Sequence, residues 1–295
     1  DYAEAHNNLG AILQLQQDLD GALACYERAV ALSPRFSQPY LNLGRLLESR
    51  GRSAEAAACY RRALELDIEP ATFRHLLNAA EGVTTERAPA DYARTVFDEF
   101  AEGFDERLVG DLGYRMPQIL CERLRGLHRD PDVRLRVLDL GCGTGLCGLH
   151  AAGFAAHLVG VDLSPRMLAK ARTRGVYHEL VESDIAEYLR TAPASGFDAV
   201  LAADVFIYIG ELEGIFRETA RVLRGGGIFA FTIELAAESG GEYQLLPSGR
   251  YAQSASYITR LALAAGLDEV ESSSHTIRGG PGSGIAGRAI LLRKP

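Results

Sequence analysis

The chain has 295 residues, 47% of them hydrophobic and 24% charged, as in ordinary soluble globular proteins. This composition excludes a collagen, a disordered chain and a small disulfide scaffold, and no apolar run of about 18 residues predicts a membrane span. The formal net charge of −8 argues against general nucleic-acid binding. Five scattered cysteines predict free thiols in a reducing compartment, so we expect a cytoplasmic protein.

A repeat with a period of 34 residues opens the chain. Asn8-Leu9-Gly10 recurs as Asn42-Leu43-Gly44, and Cys25-Tyr26 recurs as Cys59-Tyr60. Apolar residues within each unit have helical spacing, and small residues allow paired helices to approach closely. The segment resembles tetratricopeptide repeats, which implies an all-α domain over residues 1–82. Its groove then either binds a peptide or protein partner or serves only as a scaffold.

The next segment, residues 83–130, predicts a helical connection with an aromatic face. Its aromatic residues include Tyr92, Phe97, Phe100, Phe104 and Tyr114. One interpretation is a pair of helices that joins two domains. The other is a lid over a ligand site in the following domain, where aromatic faces attract a cationic group and Arg115 reaches a carboxylate.

A glycine-rich turn follows the first predicted strand. This strand contains Asp139 and runs into Gly141, Gly143 and Gly145, where glycine lets the backbone approach a ligand. A second predicted strand ends at Asp162, 23 residues after Asp139, which is the length of one β-α-β unit. A carboxylate in this place can accept hydrogen bonds from a ribose diol.

The same turn also fits a dinucleotide-binding pattern. The run Gly143–Gly148 reads G-x-G-x-x-G, and Asp162 follows at a suitable distance. Two features oppose this alternative. The glycines begin earlier, at Gly141, and the charge of Asp139 would repel a pyrophosphate while suiting a ligand with an ammonium group.

Five motifs in order point to one family. They are Asp139–Gly145, Val161–Leu168, Ser183–Ile185, Phe197–Val200 and Leu223–Gly227. On these motifs, residues 131–295 resemble class I S-adenosylmethionine-dependent methyltransferases. The whole chain resembles a bacterial group of predicted methyltransferases with N-terminal tetratricopeptide repeats. This closer resemblance rests on Phe97-Asp98-x-Phe100, Phe104-Asp105, Gly113–Pro117 and Gly249–Ile258, although Gln253 stands where that group is expected to have His.

The resemblance implies a fold and a division of the chain. The expected fold class is α/β, a Rossmann-like, mostly parallel sheet of seven strands with helices on both faces, preceded by the all-α tetratricopeptide domain. The expected divisions are a repeat domain at 1–82, a helical linker or lid at 83–130 and a methyltransferase domain at 131–295. Ligands of such sheets bind at the carboxyl ends of the strands.

The cofactor implied by the resemblance is S-adenosylmethionine. Asp139 and the glycine turn would face its methionine part, Asp162 would hold the ribose and Asp184 would reach the adenine amino group. Ala203 and Asp204 would line the methyl side, and three apolar side chains would sandwich adenine. The full implied set is Asp139, Gly141, Cys142, Gly143, Gly145, Asp162, Leu163, Met167, Asp184, Ile185, Ala203 and Asp204, with Tyr114 and Arg115 from the lid.

No catalytic base is obvious from the sequence. A sulfonium is already a good leaving group, so proximity and desolvation can supply much of the acceleration. Tyr208, Glu234 and Tyr251 are candidates near the methyl group, but each residue type is more often a packing residue. The glycine-rich loop 278–284 begins with Arg278, reads as cationic, and is either a mobile surface turn or a substrate gate. No set of metal ligands is expected.

These patterns favour methyl transfer to a small metabolite or a peptide, with the repeats binding a partner or peptide substrate. Neither nucleic acid nor membrane is an expected partner. Two alternatives stay open: a repeat scaffold whose domain binds S-adenosylmethionine without catalysis, and an NAD(P)-dependent oxidoreductase.

Overall fold

A computed structural model describes residues 2–111, 113–127, 132–237, 241–279 and 284–295, with the backbone alone at 99, 100, 107 and 111. Contacts divide the chain into two compact units. The first contains the residues up to Tyr92 together with Leu245–Arg250, and the second contains Ala93–Gln244 and Tyr251–Pro295.

The first unit is built from helical hairpins, as the repeat predicts. Its helices are α1 (Ala3–Leu15), α2 (Leu19–Leu32), α3 (Ser37–Ser49), α4 (Ser53–Glu65) and α5 (Pro70–Glu81). Asp18 caps α2 by accepting a hydrogen bond from the Gly21 amide at 3.0 Å. Gly51 and Gly82 take positive φ angles of 70° and 72° just after α3 and α5, conformations that favour glycine.

One glycine–tyrosine contact recurs in both repeats. A Cβ atom added at Gly10 would lie 2.7 Å from the Tyr26 ring, and one added at Gly44 would lie 2.1 Å from the Tyr60 ring. Tyr26 and Tyr60 are each 1% exposed. The repeat therefore preserves a close approach of two helices that any larger residue would block.

A distant segment completes the first unit. Gly249 accepts a hydrogen bond at its carbonyl from His75 Nε2 at 2.9 Å, and the Leu245 amide donates to Thr84 Oγ1 at 3.2 Å. These contacts join Leu245–Arg250 to residues of the repeat unit, a tertiary feature that the repeat pattern did not predict.

The second unit alternates strands and helices. Two helices precede its sheet, α6 (Ala90–Phe100, which begins in the first unit) and α7 (Met116–Gly126), with a π-helical segment (Glu106–Asp111) between them. The sheet region then contains β1 (Leu135–Leu140), α8 (Leu146–Ala151), β2 (Ala155–Asp162), α9 (Pro165–Thr173), β3 (Glu179–Glu182), α10 (Ile185–Thr191), β4 (Phe197–Ala202), a 3₁₀ turn (Phe206–Tyr208), α11 (Glu213–Val222), β5 (Leu223–Glu234), β6 (Tyr243–Leu245), β7 (Tyr251–Gln253), α12 (Ala255–Ala264), β8 (Asp268–Arg278) and β9 (Ile285–Arg293).

Seven strands form one sheet in the order β3-β2-β1-β4-β5-β9-β8. The pairs among β1 to β5 are parallel, whereas β9 is antiparallel to both β5 and β8. This confirms the predicted mostly parallel, seven-stranded sheet. β6 and β7 form a separate two-stranded sheet.

The core lies on both faces of the sheet. Val137 packs with Leu120 and Leu124 of α7, whereas the next residue, Leu138, belongs to the cluster that contains Ile185 of α10 and Phe216 of α11. Consecutive strand residues point to opposite faces, so a strand buried on both sides is apolar throughout. In the described part of the chain, no helix is both long enough and apolar enough to span a bilayer.

Candidate active site

Three carboxylates predicted to bind one ligand come to the same edge of the sheet. Asp139 lies near the end of β1, Asp162 ends β2 and Asp184 follows β3. Because these neighbouring strands are parallel, their carboxyl ends meet at one edge, where ligands of such sheets bind.

Asp139 is the most deeply buried of these acids, at 1% exposure. Burial raises the pKa of its carboxyl to about 7, a hydrogen bond from Tyr177 lowers the pKa, and the charge of Asp162 raises it. The Tyr177 hydroxyl donates to Asp139 Oδ2 at 2.6 Å. A buried carboxylate in this position suits a cationic ligand group, which would favour the ionised form.

Asp162 organises the glycine turn as well as facing the edge. Its Oδ2 accepts from the Gly143 amide and its Oδ1 from the Ser164 amide, each at 2.8 Å. Burial raises the pKa of Asp162, and these backbone hydrogen bonds lower it. The carboxylate therefore joins the glycine turn to the start of α9.

The glycine turn leaves one position open to a ligand. Gly141, Gly143 and Gly145 all have positive φ angles, of 61°, 53° and 89°. A Cβ added at Gly141 would meet Val205 at 2.6 Å, and one added at Gly145 would meet Tyr177 at 2.9 Å. At Gly143 no atom of the described residues, apart from the glycine and its chain neighbours, lies within 4 Å of that position. This open backbone beside three carboxylates fits a ligand with an ammonium group and a ribose diol, as S-adenosylmethionine has.

Packing explains the third glycine of the alternative dinucleotide pattern. A Cβ at Gly148 would lie 2.5 Å from the Tyr177 ring and hydroxyl, and the Gly148 amide donates to that hydroxyl at 3.2 Å. Gly148 is thus required by Tyr177, so it supplies no support for a pyrophosphate site.

The residues expected around adenine lie along one stretch of the edge. Met167 and Ile185 are buried and Leu163 is half-buried. Asp184 caps α10, since its Oδ1 accepts from the amides of Ala186 at 2.9 Å and Glu187 at 3.3 Å. The N-cap role is therefore present, and contact of Asp184 with an adenine amino group stays a prediction.

Two aspartates of the predicted lid bond to the cofactor motifs. Asp98 accepts a hydrogen bond from the Ser164 hydroxyl, just after the end of β2. Asp105 accepts from the Thr144 hydroxyl of the glycine turn and forms an ion pair with Arg174. The segment that follows α6 is therefore tied to the turn that would hold the ligand.

The aromatic residues of the lid have different surroundings. Phe97 packs edge-on against Tyr208 with ring centroids 5.1 Å apart, and the side chain of Phe100 is outside the described part of the structure. Tyr114 is 5% exposed; burial raises its pKa, and the charges of Asp204 and Asp139 act in the same direction. Arg115 is exposed and donates to Gln118 at 3.4 Å, so its contact with a ligand carboxylate stays a prediction.

Two candidates on the methyl side, Asp204 and Glu234, form ion pairs with one arginine. Ala203 and Asp204 follow β4 and are half-buried. Asp204 Oδ2 lies 3.1 Å from Arg278 Nη1, and Glu234 forms an ion pair with Arg278 Nη2. Glu234 is 3% exposed and Tyr251 is fully buried.

The interpretation of loop 278–284 as cationic is wrong at its first residue. Arg278 is the last residue of β8 and is 6% exposed, because its guanidinium is drawn inward by the two carboxylates. Residues 280–283 lie outside the described part of the structure.

Gln253 occupies a buried structural position. Its Nε2 donates to the carbonyls of Phe206 and Ile209, both at 2.9 Å, and thereby fixes the turn after Asp204. Cys142 and Cys147 are buried free thiols. Among the described residues, no three His, Cys, Asp or Glu side chains are grouped as metal ligands.

Sequence reasoning missed Tyr177, Arg278 and the hydroxyl partners Thr144 and Ser164. The lid aspartates carried a signal, because Phe-Asp occurs at 97–98 and again seven residues later at 104–105. Tyr177 carried none, since its link to Asp139 depends on the pairing of β3 with β2 and of β2 with β1.

Comparison with known proteins agrees with this geometry. Residues 138–231 match a family described as "Methyltransferase domain", and residues 1–69 match "Tetratricopeptide repeat". A ubiquinone biosynthesis O-methyltransferase from Thiobacillus denitrificans is 32% identical over 174 residues, which cover 52% of this chain and 74% of that protein.

Other similarities cover less of the related protein or have lower sequence identity. The biotin biosynthesis bifunctional protein BioHC from Saccharophagus degradans is 28% identical over 166 residues, and the match spans 56% of this chain but only 28% of that protein. The magnesium protoporphyrin IX methyltransferase structure from Synechocystis PCC 6803, with bound SAH, superposes with a TM-score of 0.54 at 18% identity. It covers 70% of this chain and 99% of that one, and it supports the fold.

Sequence family, sheet order and site geometry lead to one conclusion. The match to the Thiobacillus denitrificans enzyme exceeds 30% identity over most of that enzyme's length, and the repeat match covers the helical hairpins of the first unit. The chain therefore belongs to the S-adenosylmethionine-dependent methyltransferases and carries tetratricopeptide repeats before its methyltransferase domain.

Proposed function

We propose that this chain transfers the methyl group of S-adenosylmethionine to a small metabolite or a peptide, while the repeats bind a partner or the peptide substrate. The observation that carries the cofactor part is the open backbone at Gly143 beside buried Asp139 and Asp162. The cofactor supplies a methyl group already activated on a sulfonium, so the protein need only bind, orient and exclude water.

In the proposed site, each part of the ligand is bound by residues at the end of a different strand. Asp139 neutralises the ammonium group. The backbone of Gly141–Gly145, which includes Cys142, contacts the methionine part of the ligand. Asp162 accepts hydrogen bonds from the ribose hydroxyls. A carboxylate offers about four acceptor sites, so sites remain beyond those that the two backbone amides use. Asp184 receives the adenine amino group.

Five further residues complete the proposed site around the adenine ring and the methyl group. Leu163, Met167 and Ile185 flank the adenine ring, because Leu163 directly follows β2, Met167 lies in the first turn of α9 and Ile185 begins α10 after β3. Ala203 and Asp204 border the methyl group from β4.

The proposed lid closes over this site. Asp98 and Asp105 hold it to Ser164 and Thr144. Tyr114 is buried within electrostatic range of Asp139 and Asp204 and adds an aromatic face, and Arg115 pairs with the ligand carboxylate.

The partner role of the repeats rests on their architecture. Helical hairpins that stack in this way present grooves that bind extended peptides or other proteins. The first unit contains two such hairpins and α5. Crosslinking of the intact protein in its host, with identification of peptides joined to α1–α5, tests this part separately.

Titration calorimetry tests the cofactor assignment. The intact protein is titrated with S-adenosylmethionine, S-adenosylhomocysteine and NAD. Binding of both sulfur compounds and not NAD is expected. Binding of NAD alone would overturn the proposal, and binding of the sulfur compounds without methyl transfer to any acceptor would reduce the domain to a ligand sensor.

A further inference from the structure

A second group of charged residues lies at the carboxyl edge of the sheet, beyond the proposed cofactor acids. Asp204 follows β4, Glu234 ends β5 and Arg278 ends β8. β8 runs parallel to β5 because β9 is antiparallel to both. The three residues therefore come from strand ends on one edge, on the β4 side of β1.

These side chains form a buried group with unequal charges. Arg278 Nη1 lies 3.1 Å from Asp204 Oδ2, and Nη2 pairs with Glu234 Oε1. The exposed fractions of the Asp204, Glu234 and Arg278 side chains are 13%, 4% and 6%. Two carboxylates thus share one guanidinium, an arrangement that costs desolvation free energy and is typical of functional sites.

Two polar atoms of this group have no hydrogen-bond partner among the described residues. They are Asp204 Oδ1, an acceptor, and Arg278 Nε, a donor. Both are buried, and both belong to the same ion pair. Buried polar groups are nearly always hydrogen-bonded, so this acceptor and this donor leave two hydrogen bonds that a bound molecule can supply.

The group is next to the proposed cofactor acids. β4 pairs with β1, the strand of Asp139. Buried Tyr114 is within electrostatic range of Asp139, Asp204 and Arg278. Asp204 is also held in place, because its amide donates to Thr232 Oγ1 at 2.8 Å.

We propose that Asp204 and Arg278 bind the methyl acceptor through a hydroxyl group, an inference that rests on the proposed methyltransferase function. The hydroxyl donates to Asp204 Oδ1 and accepts from Arg278 Nε. An ammonium group has only donors and leaves Nε unpaired. A carboxylate has only acceptors and is repelled by the two carboxylates.

The chemistry of the step follows from this pairing. The hydroxyl proton passes to Asp204 as the acceptor oxygen bonds to the methyl carbon. The carbon–sulfur bond breaks, its electron pair stays on sulfur, and the sulfonium charge is lost. Arg278 stabilises the negative charge that develops on the oxygen, and Asp204 later releases the proton to water. Glu234 acts as a positioning residue that holds the guanidinium.

The first experiment identifies the atom that is methylated. The intact protein is incubated with S-adenosylmethionine labelled with carbon-13 in its methyl group and with a metabolite extract, and the carbon-13 shifts of the products are read. A methyl group on oxygen is expected. A product methylated on nitrogen, sulfur or carbon overturns the inference, as does the absence of product when S-adenosylhomocysteine binds. Failure to bind S-adenosylhomocysteine overturns the proposed function itself.

The second experiment tests the residues. Asp204→Asn is expected to lower formation of the labelled product by about 100-fold or more, the range for loss of a general base. Its affinity for S-adenosylhomocysteine, measured by calorimetry, stays within about twofold of wild type, because this compound lacks the methyl group that Asp204 borders. Asp198→Asn is the matched control, because Asp198 pairs with Arg224 at 3.0 Å at the opposite end of β4; its product formation stays at the wild-type level.

The outcomes separate the possible roles. Wild-type product formation in Asp204→Asn overturns the inference, and loss of S-adenosylhomocysteine binding in the folded variant assigns Asp204 to the cofactor site instead. If Asp204→Asn unfolds, Arg278→Lys carries the test, since it keeps the charge and removes the Nε donor. It is expected to lower product formation by about tenfold with unchanged S-adenosylhomocysteine affinity, and an unchanged rate overturns the inference.

Discussion

Replacement of Asp139 by Asn tests how much free energy the burial of an ionised carboxylate costs the folded chain. Burial raises the pKa of the Asp139 carboxyl from 3.8 to about 7. The folded chain therefore keeps this proton up to about pH 7, whereas the unfolded chain releases it as the pH rises above 3.8. The contribution of Asp139 to the free energy of unfolding is fully present below pH 3.8. It is lost as the pH rises from 3.8 to about 7.

The magnitude follows from the width of that window. Each pH unit costs about 1.4 kcal/mol, so the shift from 3.8 to about 7 amounts to about 4 kcal/mol. Asn carries no charge and keeps an oxygen that can accept from Tyr177. We expect the free energy of unfolding of Asp139→Asn to be higher than that of wild type. This difference is expected to grow by about 3 kcal/mol between about pH 5 and pH 8.

Urea denaturation at a series of pH values, followed by far-ultraviolet circular dichroism, measures this difference. Asp268→Asn is the control, because Asp268 is an exposed carboxylate on β8. The stabilised variant is also expected to lose affinity for S-adenosylmethionine, since it no longer neutralises an ammonium group. A stability difference between Asp139→Asn and wild type that does not change with pH would refute the reasoning.

Four further predictions follow from the contacts. Asp162→Ala is expected to weaken S-adenosylmethionine binding by about 1.5–3 kcal/mol in calorimetry, the range for hydrogen bonds to a charged group. Tyr177→Phe removes the hydrogen bond that lowers the pKa of Asp139, so the rise of S-adenosylmethionine affinity with pH is expected to move to higher pH by about one unit. Hydrogen exchange across residues 93–117 is expected to slow when S-adenosylhomocysteine binds. Gly44→Ala is expected to destabilise the first unit by about 1–3 kcal/mol in thermal unfolding, because the new Cβ would lie 2.1 Å from the Tyr60 ring.

Each of these predictions has a result that contradicts it. Unchanged affinity in Asp162→Ala removes the ribose assignment, with Asp162→Asn as the control that keeps one acceptor oxygen for the glycine turn. An unmoved pH profile in Tyr177→Phe separates the tyrosine from Asp139. Flat exchange across 93–117, with protection near Asp162, makes that segment a connector. Gly214→Ala in α11, where φ is not positive and no described neighbour lies within 4 Å of the added atom, is the contact-free comparison for Gly44→Ala, and equal loss in both excludes the clash with Tyr60.

Local patterns in the sequence were enough to predict the repeat helices and the first strands of the main sheet, but not the two-stranded sheet of β6 and β7. The 34-residue repeat predicted paired helices, and the turn from Asp139 through Gly145 predicted a strand, a turn and a helix. These features are readable because each depends on neighbours within a few residues: helical spacing, caps, and glycines with positive φ. The strand ends at Asp139 and Asp162 could be located for the same reason.

The surroundings of those residues required the tertiary structure. Tyr177 meets Asp139, Asp105 meets Thr144, and Arg278 meets Asp204 across separations of 38, 39 and 74 residues. Such contacts are set by the order of strands in the sheet, and no local pattern records which distant side chain will fill a given space.

The sequence by itself therefore determined the family, the repeat helices and the carboxylates at the strand ends. Only the tertiary structure decided the ionisation and the partners of those carboxylates. The physical reason is that a carboxyl group's charge state depends on desolvation and on nearby donors, and both are properties of the packed chain. Arg278 shows this most directly, since the residue that reads as a surface loop cation is buried between two acids.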